Sequence, residues 1–123
     1  MRFIIDGYIV PYVRMTQRSK WTERAQRYLS SQQAVALQLK VQMSRAGWDP
    51  VPKDVPLAVG MRFTLTKRLY GCDLSNLEKA LEDAANDVVW YDDRYIVRRL
   101  FGEKRLGDRS QAEMVVEVLN GQG

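Results

Sequence analysis

Residues 72–93 combine a helical pattern with an unusual concentration of acidic side chains. Apolar residues recur at helical spacing in this segment (Leu77, Ala80, Leu81 and Ala84) and give a helix one face for a core. The same segment holds seven carboxylates and one lysine, net −6, in a chain whose total charge is +4. Crowded carboxylates repel one another unless water or a cation lies between them. The pattern therefore predicts either a solvated helix or a cation site.

Both ends of this helix carry sequence signals. Ser75 and Glu78 have the spacing of a capping box, so we expect the helix to begin just after Ser75. Asn86 and Asp87 favour a left-handed turn that ends it. Acidic residues then stand at both ends of a compact unit, and tertiary packing decides whether those ends meet.

The rest of the chain predicts a small α+β domain. The expected elements, in order, are a strand (3–10), a helix (from 24 or 31 to 46), a strand (57–69), the acidic helix, a strand (95–104) and a strand (114–119). Residues 57–69 alternate apolar and polar side chains, which is typical of a strand with one wet face. This order predicts two helices and a mixed sheet of about four strands, β-α-β-α-β-β, with residues 1–123 as one domain.

The longest predicted helix has apolar residues over a wide arc of its surface. Such a helix can pack against the sheet on one side and a second subunit on the other. A helix that is covered on all sides within one core explains the same pattern equally well. The sequence therefore leaves both arrangements open.

Composition excludes several kinds of chemistry. The chain has a single cysteine, Cys72, and no histidine, so it has no internal disulfide, no zinc cluster of Cys and His, and no imidazole base. No apolar run approaches the roughly 20 residues that span a bilayer, and the first residues lack a signal-peptide pattern. We therefore expect a cytoplasmic protein with no membrane partner. An enzyme of this composition would depend on carboxylates, lysine or a metal.

Positive charge flanks the acidic segment in the sequence. Residues 14–27 carry five cations and one acid, and residues 94–109 carry six cations and two acids, so each block has net charge +4. Either block alone is typical of a solvated face. Two blocks in a basic chain favour a polyanionic partner such as nucleic acid. Trp21, which lies among the cations, is the better candidate for stacking on bases.

The acidic segment resembles a known family pattern. Residues 73–79 read DLSNLEK and residues 90–93 read WYDD. RusA-type Holliday junction resolvases carry Asp-x-Asp-Asn-x-x-Lys at a helix start and Asp-Asp after the helix returns. Residues 83–86 and the basic residues 11–22 are also similar to that family. The resemblance implies a homodimeric, magnesium-dependent endonuclease of bacterial or phage origin, with manganese as an alternative metal, that nicks opposing strands of four-way junction DNA.

The resemblance also implies roles for single residues. Asp73 and Asp93 would be catalytic metal ligands with Asp92 as a helper, which fits the preference of hard divalent cations for carboxylate oxygens. Lys79 would neutralise charge on the scissile phosphate, and Asn76 would orient a ligand or the backbone. The expected DNA-binding residues are Arg14, Arg18, Lys20, Lys67, Arg68 and Lys79, together with the 94–109 block.

Ser75 departs from the family pattern, which has an acidic ligand at that position. Serine can cap a helix but brings no charge to a metal, so metal affinity should fall unless Asp83 or Glu78 compensates. The replacement is either natural or an inactivating substitution. Three classes of function stay open: an active junction-selective endonuclease, a junction-binding protein of the same fold without turnover, and, with least support, a small basic transcription or packaging factor.

Overall fold

The structure, a computed structural model, describes residues 1–14, 16 and 21–119. Its helices and strands are β1 (Arg2–Asp6), α1 (Glu23–Ala46), β2 (Leu57–Leu65), α2 (Leu74–Ala85), β3 (Ile96–Leu106) and β4 (Gln111–Val118). A 3-10 turn, Asp93–Tyr95, leads into β3. The predicted α+β class and element order are confirmed. Within the described ranges, neither helix is long and apolar enough to cross a membrane.

The four strands form one mixed sheet in the order β1-β4-β2-β3. β4 pairs antiparallel with β1 and β2, whereas β3 pairs parallel with β2. Parallel neighbours need a crossover connection, and α2 provides it between β2 and β3. The helix therefore begins at the end of the sheet where β2 finishes, and it ends where β3 starts.

One face of the sheet packs against the two helices. β2 is the central contributor, because alternate side chains along it are buried (Leu57, Val59, Met61, Phe63 and Leu65). α2 buries the residues that the sequence predicted for its core face (Leu77, Ala80, Leu81 and Ala84). Full burial of a leucine side chain contributes about 1.5–3 kcal/mol, so this face holds α2 firmly in place.

β2 differs from its prediction in length and in burial. It ends at Leu65 because residues 67–71 form a turn. Its second face is not fully wet, since Ala58 and Gly60 are also buried. The ring of Phe101 from β3 lies directly over Gly60, where a side chain would clash with it.

β1 is an edge strand, and α1 covers its free edge. The strand ends at Asp6, earlier than predicted, because Gly7 turns the chain with φ 92°. Gln42 accepts from the N–H of Ile4 at 2.9 Å and donates to its carbonyl at 2.7 Å. Gln38 makes the same two bonds with Asp6, at 2.8 and 3.1 Å. Two glutamines one helical turn apart thus take the place of a neighbouring strand.

α2 begins earlier than the sequence indicated, and the capping-box prediction was wrong. The N-cap is Asp73, which makes no side-chain capping hydrogen bond, and Ser75 lies inside the first turn. The earlier start sets Leu74 three and seven residues before Leu77 and Leu81, so that it packs on the same core. Packing of the partly buried Leu74 on the core therefore stabilises this earlier helix start more than a side-chain cap at Ser75 would stabilise a later one.

Candidate active site

Asp93 lies beside the C-terminal end of α2. Asn86, the C-cap of the helix, donates a long hydrogen bond of 3.5 Å to Asp93 Oδ2. The same side chain accepts from the indole Nε1 of Trp90 at 2.7 Å, and Trp90 is only 1% exposed. Asn86 therefore connects Asp93 to a fixed part of the core.

Asp92 and Asp93 are neighbouring carboxyls whose pKa values shift in opposite directions. Partial burial, and then the hydrogen bond with Asp92, raise the pKa of Asp93. The pKa of Asp92 is lowered, chiefly because its carboxylate accepts from the backbone N–H of Arg94 at 3.1 Å. Burial thus opposes a negative charge on Asp93, whereas the N–H of Arg94 favours one on Asp92.

Glu82 adds further negative charge at this end of α2. Burial raises its pKa, and the nearby Asp93 raises it as well, although the ion pair with Arg99 acts in the opposite direction. Burial is the larger effect here, since Glu82 retains a raised pKa despite its cation. The electrostatic environment at this end of the helix favours a positively charged ligand.

The two acids that were expected to compensate for Ser75 have other neighbours. Asp83 accepts from the hydroxyl of Tyr28 at 3.1 Å, a contact that ties α2 to α1. Burial, and then the charge of Asp83, raise the pKa of Tyr28, so its hydroxyl remains a donor at neutral pH. Glu78 lies against Gly102 of β3.

Asp73 lies exposed at the opposite end of α2. Lys104 of β3 fixes the chain just before it by donating to the carbonyls of Tyr70 and Cys72, at 2.9 Å each. The Lys104 ammonium also lies 4.6 Å from the centroid of the Tyr70 ring. Sequence reasoning placed Lys104 only within a basic block, because no motif signals a bond from β3 to this turn.

The loop before α1 packs on the first half of α2. The N–H of Tyr12 donates to the carbonyl of Asn76 at 3.0 Å, and Lys79 Nζ lies 4.7 Å from the centroid of the Tyr12 ring. Arg14 follows two residues later and is exposed.

Two more predicted DNA-binding residues, Lys67 and Arg68, are exposed in the turn that leads to α2. Their position in that turn places them near the Asp73 end of the helix. The predicted residues Arg18 and Lys20 lie outside the described residues. Arg14, Lys67, Arg68 and Lys79 are therefore associated with the first half of α2, whereas Arg99 of the 94–109 block pairs with Glu82 near its other end.

α2 separates the two predicted metal ligands within one chain. Its 12 residues span about 18 Å at 1.5 Å per residue, with Asp73 at the start and the Asn86 contact to Asp93 at the end. Within residues 1–14, 16 and 21–119, no three Asp, Glu or Cys side chains form a group that could hold a metal ion.

The predicted site residues thus divide into two half-sites. The Asp73 half-site comprises the predicted residues Asp73, Ser75, Asn76 and Lys79, and the Asp93 half-site comprises the predicted residues Asp92 and Asp93 together with Glu82 and Asn86, which the structure adds. The first is at the N-terminal end of α2 and the second is at its C-terminal end. Each half-site contains one of the two carboxylates expected to bind metal.

A small basic α+β chain with exposed acids and cations beside one helix is typical of a protein that acts on nucleic acid. Residues 10–118, nearly the whole chain, match the model of a protein family described as Endodeoxyribonuclease RusA. The chain therefore belongs to the RusA endodeoxyribonuclease family, as the DLSNLEK and WYDD motifs predicted. A comparison with curated proteins found no match.

Proposed function

We propose that this protein is a metal-dependent endodeoxyribonuclease that resolves four-way DNA junctions and acts as a homodimer in the cytoplasm of a bacterium. The observation that carries the proposal is the presence of both acidic motifs of an endodeoxyribonuclease family, one at each end of α2. The family supports DNA cleavage as the activity class.

The donor set suits a hard divalent cation. Asp73 and Asp93 would hold magnesium or manganese with Asp92 as a helper, because such ions take one or two carboxylates and keep several waters. Cys72 is a poor competing ligand, since burial raises the pKa of its thiol and the thiolate is the form that binds metal. When bound, the cation lowers the pKa of a water and offsets charge on the phosphate.

The cations near Asp73 would position the DNA strand. Lys79 projects from α2 one turn beyond Asn76 and would contact the phosphate at the cutting position. Arg14, Lys67 and Arg68 would bind neighbouring phosphates, and Arg18 and Lys20 are proposed to contact DNA as well. Phosphate contacts of this kind supply affinity and positioning, whereas the shape of the junction supplies selectivity.

A dimer would complete the site. Metal–oxygen distances are about 2.1 Å for magnesium, so half-sites about 18 Å apart cannot share one ion within a chain. A two-fold axis can place the Asp73 half-site of one protomer beside the Asp93 half-site of its partner, twice per dimer. A four-way junction offers two symmetry-related strands, which matches two sites related by the same axis.

Ser75 makes a second function possible within the same fold. It is exposed in the first turn of α2, where the family pattern has a carboxylate. We propose that serine at this position leaves cleavage slow because the metal shares fewer negative ligands. The alternative is a catalytically inactive protein that binds junctions.

Cleavage of synthetic four-way junctions in magnesium or manganese tests these proposals. Ser75→Asp should raise the cutting rate by orders of magnitude. Ser75→Asn, whose side chain has the shape of aspartate without its charge, is the control and should leave the rate unchanged. Tight junction binding without cutting in both variants would favour the inactive binding protein. Equal affinity for junction and linear duplex would contradict junction selectivity.

A further inference from the structure

A pocket lies between the loop before α1 and the first turns of that helix. Its cavity volume is about 290 Å³. Its lining residues are Tyr8, Val10, Pro11, Val13, Arg24 and Arg27. One wall is therefore aromatic and apolar, and the other carries two arginines one helical turn apart. An aromatic ring beside arginines suits a nucleotide, because the ring stacks on a base and the arginines bind its phosphate.

The two walls of this pocket are fixed to each other. The N–H of Val10 donates to Ser31 Oγ of α1 at 3.1 Å. In the same loop, the ring of Tyr12 packs edge-on against the ring of Tyr28 of α1, with the centroids 6.0 Å apart. The pocket is therefore formed before a ligand arrives, so that binding requires little ordering of the protein.

The two arginines of the pocket are accessible to an anion. Arg24 and Arg27 are both exposed. The ion pair of Arg27 with Glu23 spans 3.5 Å between two exposed groups, and pairs of this kind contribute little. Arg24 lies in the first turn of α1, where the helix dipole disfavours a cation and favours an anion. A bound phosphate would thus be stabilised by both guanidinium groups and by the dipole.

A second hollow lined by arginines, on the sheet face away from the helices, lacks this property. Arg2 and Arg62 both pair with Glu113, and Arg62 and Arg105 pair with Glu103. Two carboxylates already neutralise most of the charge of three guanidinium groups. A phosphate would have to displace them, so this hollow is a poor site for an anion.

The pocket adjoins the Asp73 half-site. Tyr8 lies close enough to Cys72, the residue before Asp73, for the two side chains to interact electrostatically. The loop that carries Tyr8 also places the ring of Tyr12 against Lys79 of α2. A DNA strand whose phosphate is bound by Lys79 would therefore pass the loop that forms one wall of the pocket.

We propose that this pocket binds one unpaired nucleotide of the DNA strand beside the cutting position, with its base on Tyr8 and its phosphate between Arg24 and Arg27. The inference deepens the proposed function and rests on it for DNA as the substrate. Extruding a base from a duplex is unfavourable, and it is least so where pairing is already disturbed, as at a branch point. The pocket therefore favours junctions over linear duplex.

Photo-cross-linking tests whether a base stacks on Tyr8. A single strand and a four-way junction each carry one 5-iodouracil, which is moved along the strand, and metal is left out so that no cutting occurs. On irradiation this base cross-links to an aromatic side chain stacked on it. Trypsin separates residues 3–14, which contain Tyr8, from residues 21–24, which contain Trp21. We expect an adduct on residues 3–14 that Tyr8→Leu abolishes and that Tyr91→Leu, at the other end of α2, preserves.

A conservative variant separates loss of the ring from loss of the fold. Tyr8→Phe retains the ring and should retain the adduct and the preference for junctions, whereas Tyr8→Leu should lose both. An adduct that survives Tyr8→Leu, that forms only on residues 21–24, or that forms at no position of the iodinated base would overturn the proposal.

The salt dependence of binding provides a second measurement. The Arg24→Gln, Arg27→Gln double variant removes two phosphate contacts. It should bind a single strand about tenfold more weakly, and the slope of log affinity against log salt should become shallower by about 1.4. Lys40→Gln, Arg45→Gln removes the same charge from the other end of α1 and should leave the slope unchanged. Equal effects of the two double variants would refute the pocket.

The pocket and the nuclease can fail separately, because the pocket is tested without metal or cutting. Junction cutting by Ser75→Asp in a protein that gives no adduct at Tyr8 supports the nuclease and refutes the pocket. Conversely, a Tyr8 adduct in a protein that Ser75→Asp does not activate supports the pocket and counts against the nuclease.

Discussion

Mixed dimers can determine whether each site draws on two protomers. Asp73→Asn and Asp93→Asn each remove one ligand from every site of a homodimer, so each variant alone should be inactive. A mixed dimer, with one protomer of each variant, distinguishes sites shared between protomers from sites built within one chain. If protomers share sites, one site loses both ligands and the other keeps both; if each chain builds its own site, both sites lose one ligand.

The expected recovery follows from the symmetry of the dimer. Random exchange at equal concentrations makes about half of the dimers mixed, and each mixed dimer keeps one intact site of two. About a quarter of all sites should therefore recover both carboxylates. The length of α2, about 18 Å, is the reason to expect recovery, because one chain cannot bring both ends of this helix to one ion.

The assay is best performed in the Ser75→Asp background with a labelled four-way junction. Mixed dimers should nick one strand of a junction, so a denaturing gel should show cutting while resolution into two duplexes stays low. Manganese binding followed by electron paramagnetic resonance gives a readout that is independent of cutting. Asp87→Asn, an exposed acid outside both half-sites, is the matched control and should remain active alone. A mixture as inactive as its components, beside an active parent, would refute the shared site.

Three further outcomes are expected. Lys104→Met should lower the free energy of unfolding by about 1–2 kcal/mol in urea denaturation, because it removes two hydrogen bonds to the carbonyls of Tyr70 and Cys72. It should also weaken manganese binding, and unchanged stability and metal affinity would contradict its positioning role. Tyr28→Phe should cost about 1 kcal/mol in the same assay, since Asp83 loses a hydrogen-bond donor, and a stabilised variant would contradict that role. Junction affinity should fall steeply with salt, and a flat response between low and physiological salt would show that the cations are solvated surface.

Periodicity predicted the elements because burial follows it closely in this chain. The inward residues of β2 and the core face of α2 are buried as their spacing indicated. The start of α2 was mispredicted because the Ser75 and Glu78 spacing is a local signal. Packing of Leu74 on the core is a tertiary effect, and a local pattern cannot weigh it.

The motifs identified the candidate residues but not their separation. Asp73 and Asp93 are divided because β3 pairs parallel with β2, so that α2 has to run the full length of the crossover between them. The contact that positions the turn before Asp73 also depends on how the strands are arranged. Lys104 reaches the turn before Asp73 only because β3 extends beside α2, and spacing along the sequence does not contain that information.

Charge pairing in the fold changes where DNA contacts are expected. The sequence block 94–109 has net charge +4, yet Arg99 pairs with Glu82 and Arg105 pairs with Glu103. Lys104 is directed to backbone carbonyls. These contacts reduce the capacity of the block to bind phosphate, so the expected DNA surface moves toward the loops around the Asp73 half-site.

The two half-sites therefore differ in the charge of their side chains. Lys67 and Arg68 lie in the turn before Asp73, Lys79 lies on α2, and Arg14 follows the loop that packs on it, whereas the Asp93 half-site is dominated by carboxylates. A phosphate approaching the Asp93 half-site alone would meet repulsion, and a cation approaching the Asp73 half-site alone would find a single carboxylate. Joining the half-sites of two protomers places phosphate-binding cations beside metal-binding acids, so cutting should depend on protein concentration wherever the dimer dissociates. Single-turnover rates that stay constant on dilution below the dimer dissociation constant would refute this dependence.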